Sequence, residues 1–217
     1  GAGPATGGKP GQATRSEPSF TRSEALATRA FWLLALYSML VWPVQAGVSL
    51  HQAAHITERG LSMGTAVSGV TVFSATSGVF ALIFGLALRR IGVRAGLVLS
   101  AIGMAIGPAL IARVSTPADV LVAAAVFGAG MGGMQTSLPV AWADYFGRKS
   151  FGAIRGVSLA IQVTAQAVGP LLSGVLRDRT GDYTVSLMTF MTLAGIAAIA
   201  ALLVAAPKPP ERAASAD

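Results

Sequence analysis

Charge is missing from six long stretches of this sequence, and that absence limits its possible folds more than any other feature. The uncharged windows are 18 to 29 residues long. They cover residues 30–57, 60–88, 95–112, 120–143, 156–176 and 183–207. A helix needs roughly 20 apolar residues to cross the hydrocarbon core of a bilayer. Because lipid offers no partner to unpaired backbone groups, each window is predicted to form a helix.

Composition supports lipid as the surrounding medium. The 217 residues are 53% hydrophobic and 12% charged, whereas a soluble domain carries about 25% charged residues. The predicted fold class is therefore an all-α, polytopic membrane bundle of six transmembrane helices, within residues 24–206. The predicted spans are 30–56, 62–88, 95–113, 119–143, 154–177 and 183–206. Residues 1–23 are predicted to be a flexible cytoplasmic linker, and residues 207–217 a cytoplasmic tail.

The distribution of the basic residues predicts the orientation in the membrane. With six spans, both termini and the loops around residues 89–94 and 144–155 share one side, here called the basic side. It holds 12 of the 16 lysines and arginines, and the opposite side holds four. Positive loops stay cytoplasmic, so both termini are expected in the cytoplasm. The net charge of +7 does not indicate nucleic-acid binding, because the cations are scattered between apolar runs.

Polar residues form a stripe on the first predicted helix and another on the fifth. At 100° per residue the members of each stripe fall within about 60° and about 80° of one another. Such stripes favour a water-filled cavity, although hydrogen bonding between helices is the alternative. The candidate cavity residues are Ser38, Gln45, Ser49, Gln52, Gln135, Ser158, Gln162 and Gln166. Ser173 continues the second stripe.

Two apparent enzyme motifs fail when their chemistry is considered. The G-x-G-x-x-G match at 128–133 lies inside an apolar window and lacks the strand and the acid of a dinucleotide site. The sequence His51-Gln-Ala-Ala-His55 resembles a zinc protease motif, but Gln52 cannot act as the general base. We therefore expect no enzyme activity, no metal and no cofactor. The two histidines are left with either a structural role at the outer rim or a gating, proton-linked one.

Three stretches carry a resemblance to the major facilitator superfamily of transporters. Gly85, Arg90, Gly92 and Arg94 match its loop motif, although Arg89 replaces the usual Asp. Residues 143–156, ADYFGRKSFGAIRG, are similar to the loop between helices ten and eleven of bacterial monocarboxylate-transporter-like and oxalate–formate-antiporter-like members. Residues 169–183 resemble the helix that follows.

The resemblance implies that the chain is the C-terminal half of a twelve-helix fold, itself built from two repeats of three helices. Loops of this kind clasp helix ends and break as the halves rock. The gating or coupling candidates are His51, His55, Arg90, Arg94, Asp144, Arg148 and Arg155. The third and sixth spans are expected outside, against lipid. Some relatives place a cation near the positions of Ser77 and Ala81, where this chain has none.

The expected function is transmembrane transport of a small solute, such as an organic acid, by alternating access. The expected partners are the lipid bilayer, an N-terminal six-helix half of the same transporter and the small-molecule substrate. The expected location is the bacterial inner membrane. Two alternatives stay open: a self-sufficient six-helix carrier that dimerises, and a non-transporting sensor or scaffold on the same fold.

Overall fold

Seven helices and no strand make up the described part of the chain. The computed structural model describes residues 20–147 and 151–208. At residues 151 and 153 it describes the backbone alone. The helices are α1 (Arg22–Leu26), α2 (Arg29–Glu58), α3 (Met63–Ile91), α4 (Val93–Ile111), α5 (Pro117–Phe146), α6 (Phe151–Thr180) and α7 (Thr184–Leu203). The last six are long and apolar enough to cross a membrane. The predicted class, an all-α bundle with six membrane-length helices, is confirmed.

The helices differ from the predicted spans at their ends. Helices α3, α5 and α6 run up to three residues beyond the predicted bounds, and α7 ends three residues before its predicted bound. The predicted spans of α3 and α5 stopped at a charge, but charged residues such as Arg89, Arg90 and Asp144 continue the last helical turn. The short helix α1 begins inside the predicted linker, where Thr21 and Glu24 form a reciprocal capping box. Residues 1–19, 148–150 and 209–217 lie outside the described residues, so the gating candidate Arg148 does too.

Side-chain caps and glycine turns set the helix boundaries. Thr28, Ser62 and Thr116 each accept a hydrogen bond from the backbone three residues on, which starts α2, α3 and α5. At the other ends, Gly92 and Gly147 stop α3 and α5 with φ of 79° and 75°, a conformation that side chains disfavour. Tight turns of this kind bring consecutive helices back across the bundle.

The two units of three helices, α2–α4 and α5–α7, pack by exchanging neighbours. The middle helix α3 lies along α5, and the equivalent α6 lies along α2. The last helices repeat the pattern, since α4 packs on α5, α7 packs on α2, and α4 and α7 contact each other. Each unit has an odd number of spans, so the two units run in opposite senses. The arrangement is an inverted pseudo-twofold repeat, the form that many transporters share.

Glycines allow the closest of these helix contacts. A Cβ on Gly169 of α6 would overlap the carbonyl oxygen of Pro43 on α2, and a Cβ on Gly132 of α5 would overlap that of Ser77 on α3. Gly128, one turn from Gly132, also lies against the backbone of α3, as the small-xxx-small spacing predicted. Backbone contact thus replaces bulky side chains at the main crossings.

The contact between α2 and α4 is made differently, by a buried side chain. The Tyr37 hydroxyl donates to the Leu97 carbonyl at 3.1 Å.

The six long helices differ in how much of their surface the bundle buries, and the expectation that α4 and α7 face lipid stays a prediction. Within the described bundle, α3 and α6 are the most exposed of the six long helices, while α4 and α7 are more buried. The reason is the exchange of neighbours, because α4 and α7 contact each other and also pack on the first helices of the opposite units. Helices α3 and α6 pack mainly along one neighbour each and leave broad surfaces uncovered.

Replacing Gly169 by alanine is expected to destabilise the bundle by about 1–3 kcal/mol, the usual cost of overpacking. The added methyl group would push α6 away from the Pro43 carbonyl. The measurement is unfolding in detergent, followed by helical circular dichroism. Gly174→Ala on the same helix is the matched control, because a Cβ there meets no atom within 4 Å. Equal stability of the two variants would contradict the close contact.

Candidate functional site

A polar groove opens between α2 and α6, and three of the predicted cavity residues meet in it. The amide nitrogen Nε2 of Gln166 donates to Oε1 of Gln45 at 2.8 Å. The Nε2 of Gln45 lies 3.4 Å from the hydroxyl of Ser49, one turn along the same helix. The groove has a volume of about 550 Å³. The sequence stripe therefore brings together two amides and a hydroxyl from two different helices.

The glycine contact between α2 and α6 explains why these amides meet. Gly47 lies two residues after Gln45, and Gly169 lies three residues after Gln166. A Cβ on Gly169 would approach the Gly47 nitrogen to 2.9 Å, so the two backbones nearly touch at this level. Side chains that flank such a crossing point from both helices are held within hydrogen-bonding distance.

The remaining lining of the groove is apolar and uncharged. It consists of Ala46, Leu50, Val163, Ala167 and Pro170. Two amides together offer four N–H donors and several acceptor positions, and the bonds just described use only some of them. The groove can therefore hydrogen-bond a hydroxyl, carbonyl or carboxyl group. Its described residues offer no full charge to pair with an ion.

A second cavity, of about 450 Å³, lies between the same two helices but nearer the basic side. Its lining residues are Met39, Pro43, Ala160, Ile161, Thr164, Ala165 and Val168. Threonine is the one side chain in this set with a polar atom. Together the two cavities form a surface along α2 and α6 that changes from polar to apolar toward the basic side.

The other predicted cavity residues lie elsewhere. Ser38 is buried and donates to the Leu34 carbonyl of its own helix at 2.8 Å. Ser158 is buried and donates to the Arg155 carbonyl at 2.9 Å. Gln135 on α5 faces α3, with its Nε2 3.5 Å from the hydroxyl of Ser77. Ser38 and Ser158 share a helix stripe with the groove residues, and Gln135 lies on α5, but none of the three lines the groove.

Gln162 and Ser173 complete the second stripe without reaching the polar groove. Gln162 is half-buried and does not line it. Ser173 is buried and accepts a 2.8 Å hydrogen bond from Ser186 on α7. For Ser173, the alternative of packing between helices therefore describes its environment.

The predicted histidines lie near the opposite side, where α2 ends. Nε2 of His55 lies 3.1 Å from the carbonyl of Ile111 on α4, so this nitrogen carries a hydrogen. Nδ1 of His51 lies 3.1 Å from the Gly47 carbonyl, and its ring faces Tyr183 at a centroid distance of 5.1 Å. The histidines thus join α2 to the end of α4 and to the turn before α7.

Gln52 shares this region and is left with an unmatched amide. It is buried, and its Nε2 has no hydrogen-bond partner among the described atoms. The Nδ1 of His55, three residues on along α2, is also without a described partner. The Gln52 amide is a donor, and Nδ1 of His55 is an acceptor when Nε2 carries the hydrogen of the neutral ring.

Ion pairing at this end of the bundle was missed by the sequence analysis. Arg177 of α6 forms a 3.0 Å salt bridge with Glu58 of α2, and its guanidinium lies 6.0 Å from the Tyr183 ring centroid. Arg59 also donates through Nε to the Val114 carbonyl at 3.3 Å. Glu58 and Arg177 were both visible in the sequence as charges beside the uncharged windows, but their pairing depends on which helices are neighbours in space. The ends of α2, α4 and α6 are fastened together here.

On the basic side, the structure describes four of the gating candidates. Arg94 donates through Nη2 to the carbonyl of Leu202, so it caps the end of α7. Nη1 of Arg155 lies 3.5 Å from the Ser158 hydroxyl. Asp144 is exposed in the last turn of α5, and Arg90 is exposed in the last turn of α3. These four side chains lie at the basic-side ends of α3, α4, α5 and α6.

Ser77 and Ala81, where some relatives have a cation, instead support the packing of α3 on α5. Ser77 is buried near Gln135, and the Ala81 carbonyl accepts from the hydroxyl of Thr136 at 3.1 Å. Among the described residues, no group of three or more His, Cys, Asp or Glu side chains could hold a metal.

Comparison with known proteins gives one clear result. The family model described as Major Facilitator Superfamily matches residues 30–217, which is most of the chain. Members of this superfamily are transporters rather than enzymes. No curated protein sequence matches the chain significantly.

Substituting Gln45 and Gln166 by leucine, singly and together, is expected to reveal a coupling of about 0.6 kcal/mol, the average for hydrogen bonds between membrane helices. The two amides share a 2.8 Å bond, so losing one removes most of the effect of losing the other. The measurement is a double-mutant cycle of unfolding free energies in detergent. A cycle of Gln45→Leu with Gln162→Leu serves as control and should give additive effects. Additivity in both cycles would show that the amide pair does not hold the helices together.

Proposed function

As the chain belongs to the Major Facilitator Superfamily, we propose that it transports a small solute as one six-helix half of a secondary transporter that works by alternating access. The observation that carries this proposal is the Gln45–Gln166 pair in an open groove between α2 and α6. Polar side chains inside membrane helices tend to mark a substrate path. The inverted repeat agrees, because substrate sites of such transporters lie near the bilayer midplane between repeats.

The exposed surfaces of the bundle support a partner of similar size. The half of α3 nearer the opposite side exposes Gly64, Ser68, Thr71 and Ser74. Small and hydroxyl-bearing residues are typical of contacts between membrane helices rather than of lipid-facing surfaces. We infer that this surface and the α2–α6 groove face an N-terminal six-helix half of the same transporter.

The proposed substrate is a small organic acid or a similar metabolite. The groove of this chain would contribute hydrogen bonds from Gln45, Ser49 and Gln166, and apolar contacts from its walls. Because its described lining has no cation, a carboxylate would need its charge partner from the other half. Substrates resembling those of monocarboxylate and oxalate–formate carriers fit this division, as the sequence resemblance suggests.

In the proposed cycle, this chain moves largely as a rigid unit. The Gly47–Gly169 contact and the amide pair hold α2 to α6 near the middle. The Glu58–Arg177 salt bridge holds their ends on the opposite side. Access would then change at the interface with the second half. On the basic side, Arg90, Arg94, Asp144, Arg148 and Arg155 would make and break contacts with that half.

A sensor or scaffold on the same fold is the second candidate. It is favoured by the uncharged lining of the groove, since hydrogen bonds alone can bind a solute without coupling it to an ion. A self-sufficient dimer of this chain is the third, and it would cover the groove with a second copy. The sensor would show no solute flux, and the self-sufficient carrier would contain two copies of this chain instead of one copy and an N-terminal half.

The chain reconstituted alone in liposomes is expected to take up labelled lactate, pyruvate, oxalate or formate no faster than empty liposomes. Co-reconstitution with a matching N-terminal half is expected to give uptake, because only then is the cavity closed on both sides. Uptake by the chain alone would instead support the dimeric carrier. Saturable binding by the assembled protein without uptake would support the sensor.

In the assembled transporter, Gln166→Leu is expected to raise KM for the transported solute about 2- to 10-fold, the effect of losing one hydrogen bond of roughly 0.5–1.5 kcal/mol. Gln162→Leu, on the same helix but outside the polar groove, is the matched control and should leave KM unchanged. The measurement is initial uptake rate against solute concentration. Equal effects of the two variants would place the substrate elsewhere.

A further inference from the structure

The end of α3 on the basic side carries a groove, of whose lining residues the proposed transport cycle uses Arg90 alone. It is formed by Ile83, Leu86, Ala87, Arg89, Arg90 and Ile91, and has a volume of about 610 Å³. Two arginines lie at one end of it and bulky aliphatic side chains lie along it. One short segment therefore combines a cationic and a strongly apolar surface.

The charge of the two arginines is not offset within the described part of the chain. Neither Arg89 nor Arg90 forms a salt bridge or a side-chain hydrogen bond with a described residue, and both are exposed. The neighbouring Arg94 is different, because it caps α7 at the Leu202 carbonyl. Among described residues the basic side holds seven lysines and arginines against two acids, whereas the opposite side holds four of each. An anion is thus favoured at this end of α3.

The aliphatic part of the groove is built for lipid rather than for another helix. Leu86 is 80% exposed, and Ile83 and Ile91 are each more than 40% exposed. Membrane helices meet through small residues, as α3 offers at Gly64 and Ser68 nearer its other end. Bulky branched side chains beside uncompensated arginines do not fit that pattern.

The depth of the groove also suits a lipid headgroup. Helix α3 has 29 residues, so it is about 44 Å long, whereas the hydrocarbon core is about 30 Å thick. Its last turn, with Arg89 and Arg90, therefore extends to the level of the headgroups. Ile83 and Leu86 lie one to two turns deeper, at the level of the acyl chains.

We propose that this groove is a binding site for one anionic phospholipid of the leaflet on the basic side. The phosphate is held by the guanidinium groups of Arg89 and Arg90, which are suited to paired hydrogen bonds with phosphate oxygens. An acyl chain lies against Ile83 and Leu86. Basic sites between or beside membrane helices on the cytoplasmic side are a recurrent form of lipid recognition. The proposal depends on the positive-inside orientation, and not on what the protein transports.

The test is native mass spectrometry of the full 217-residue chain in detergent, titrated with dioleoyl phosphatidylglycerol or with dioleoyl phosphatidylcholine. The chain is expected to bind phosphatidylglycerol more tightly. The double variant Arg89→Gln/Arg90→Gln is expected to lose about 25-fold in phosphatidylglycerol affinity, or about 5-fold for each arginine. Arg113→Gln, an exposed arginine on the opposite side, is the matched control and should change nothing. Equal affinity for the two lipids, or equal losses in variant and control, would overturn the proposal.

Two further measurements test the two parts of the site. Leu86→Ser is expected to weaken binding of both lipids a few-fold while leaving their ratio unchanged, because it removes only acyl-chain contact. Excess inorganic phosphate is expected not to displace phosphatidylglycerol, and effective displacement would assign the arginines to a soluble phosphate instead. Helical circular dichroism confirms that each variant is folded. Because the experiment measures lipid affinity and not uptake, its result can be interpreted even if the transport proposal fails.

Discussion

Lipid removes the usual force that drives helices together, since an apolar side chain gains little by leaving acyl chains for another helix. In this bundle, close contact between helix backbones provides part of the attraction instead. At the crossing of α2 and α6, and at the crossing of α3 and α5, glycine takes the place of any larger residue. The same close approach brings Gln45 and Gln166 within hydrogen-bonding distance. The candidate site is therefore a direct product of how the helices are held.

The charged residues at the two ends of the bundle make different contacts. At the opposite side, Glu58, Arg177, His55 and Arg59 connect the ends of α2, α4 and α6. At the basic side, Arg94 caps α7, while Arg89 and Arg90 project outward. The charged side chains Glu58, Arg177 and Arg59 thus bind within the bundle. Arg89 and Arg90 instead stay exposed, where lipid headgroups or a second half can contact them.

Much of the fold could be predicted from the sequence, because lipid permits few structures. Uncharged windows alone placed six helices, and the spacing of Gly128 and Gly132 predicted a close helix contact. The candidate site was predictable only in part. Helical angles selected Gln45, Ser49 and Gln166, but they also selected Ser38 and Ser158. A hydroxyl can turn back to a carbonyl of its own helix, and an angle cannot reveal that. The Glu58–Arg177 pair joins two residues that are 119 positions apart in sequence, and local patterns do not encode such a contact.

The exchange of neighbours between the two units has a consequence for synthesis. Among the six long helices described here, α2 is translated before the others, yet its main packing partners, α6 and α7, are translated last. Until α6 is inserted, Gln45 lacks the amide of Gln166 as its partner. The nascent chain must therefore keep the Gln45 amide in the bilayer without that partner while α3, α4 and α5 are inserted. An insertase that holds α2 during this interval would protect the amide until its partner helix arrives.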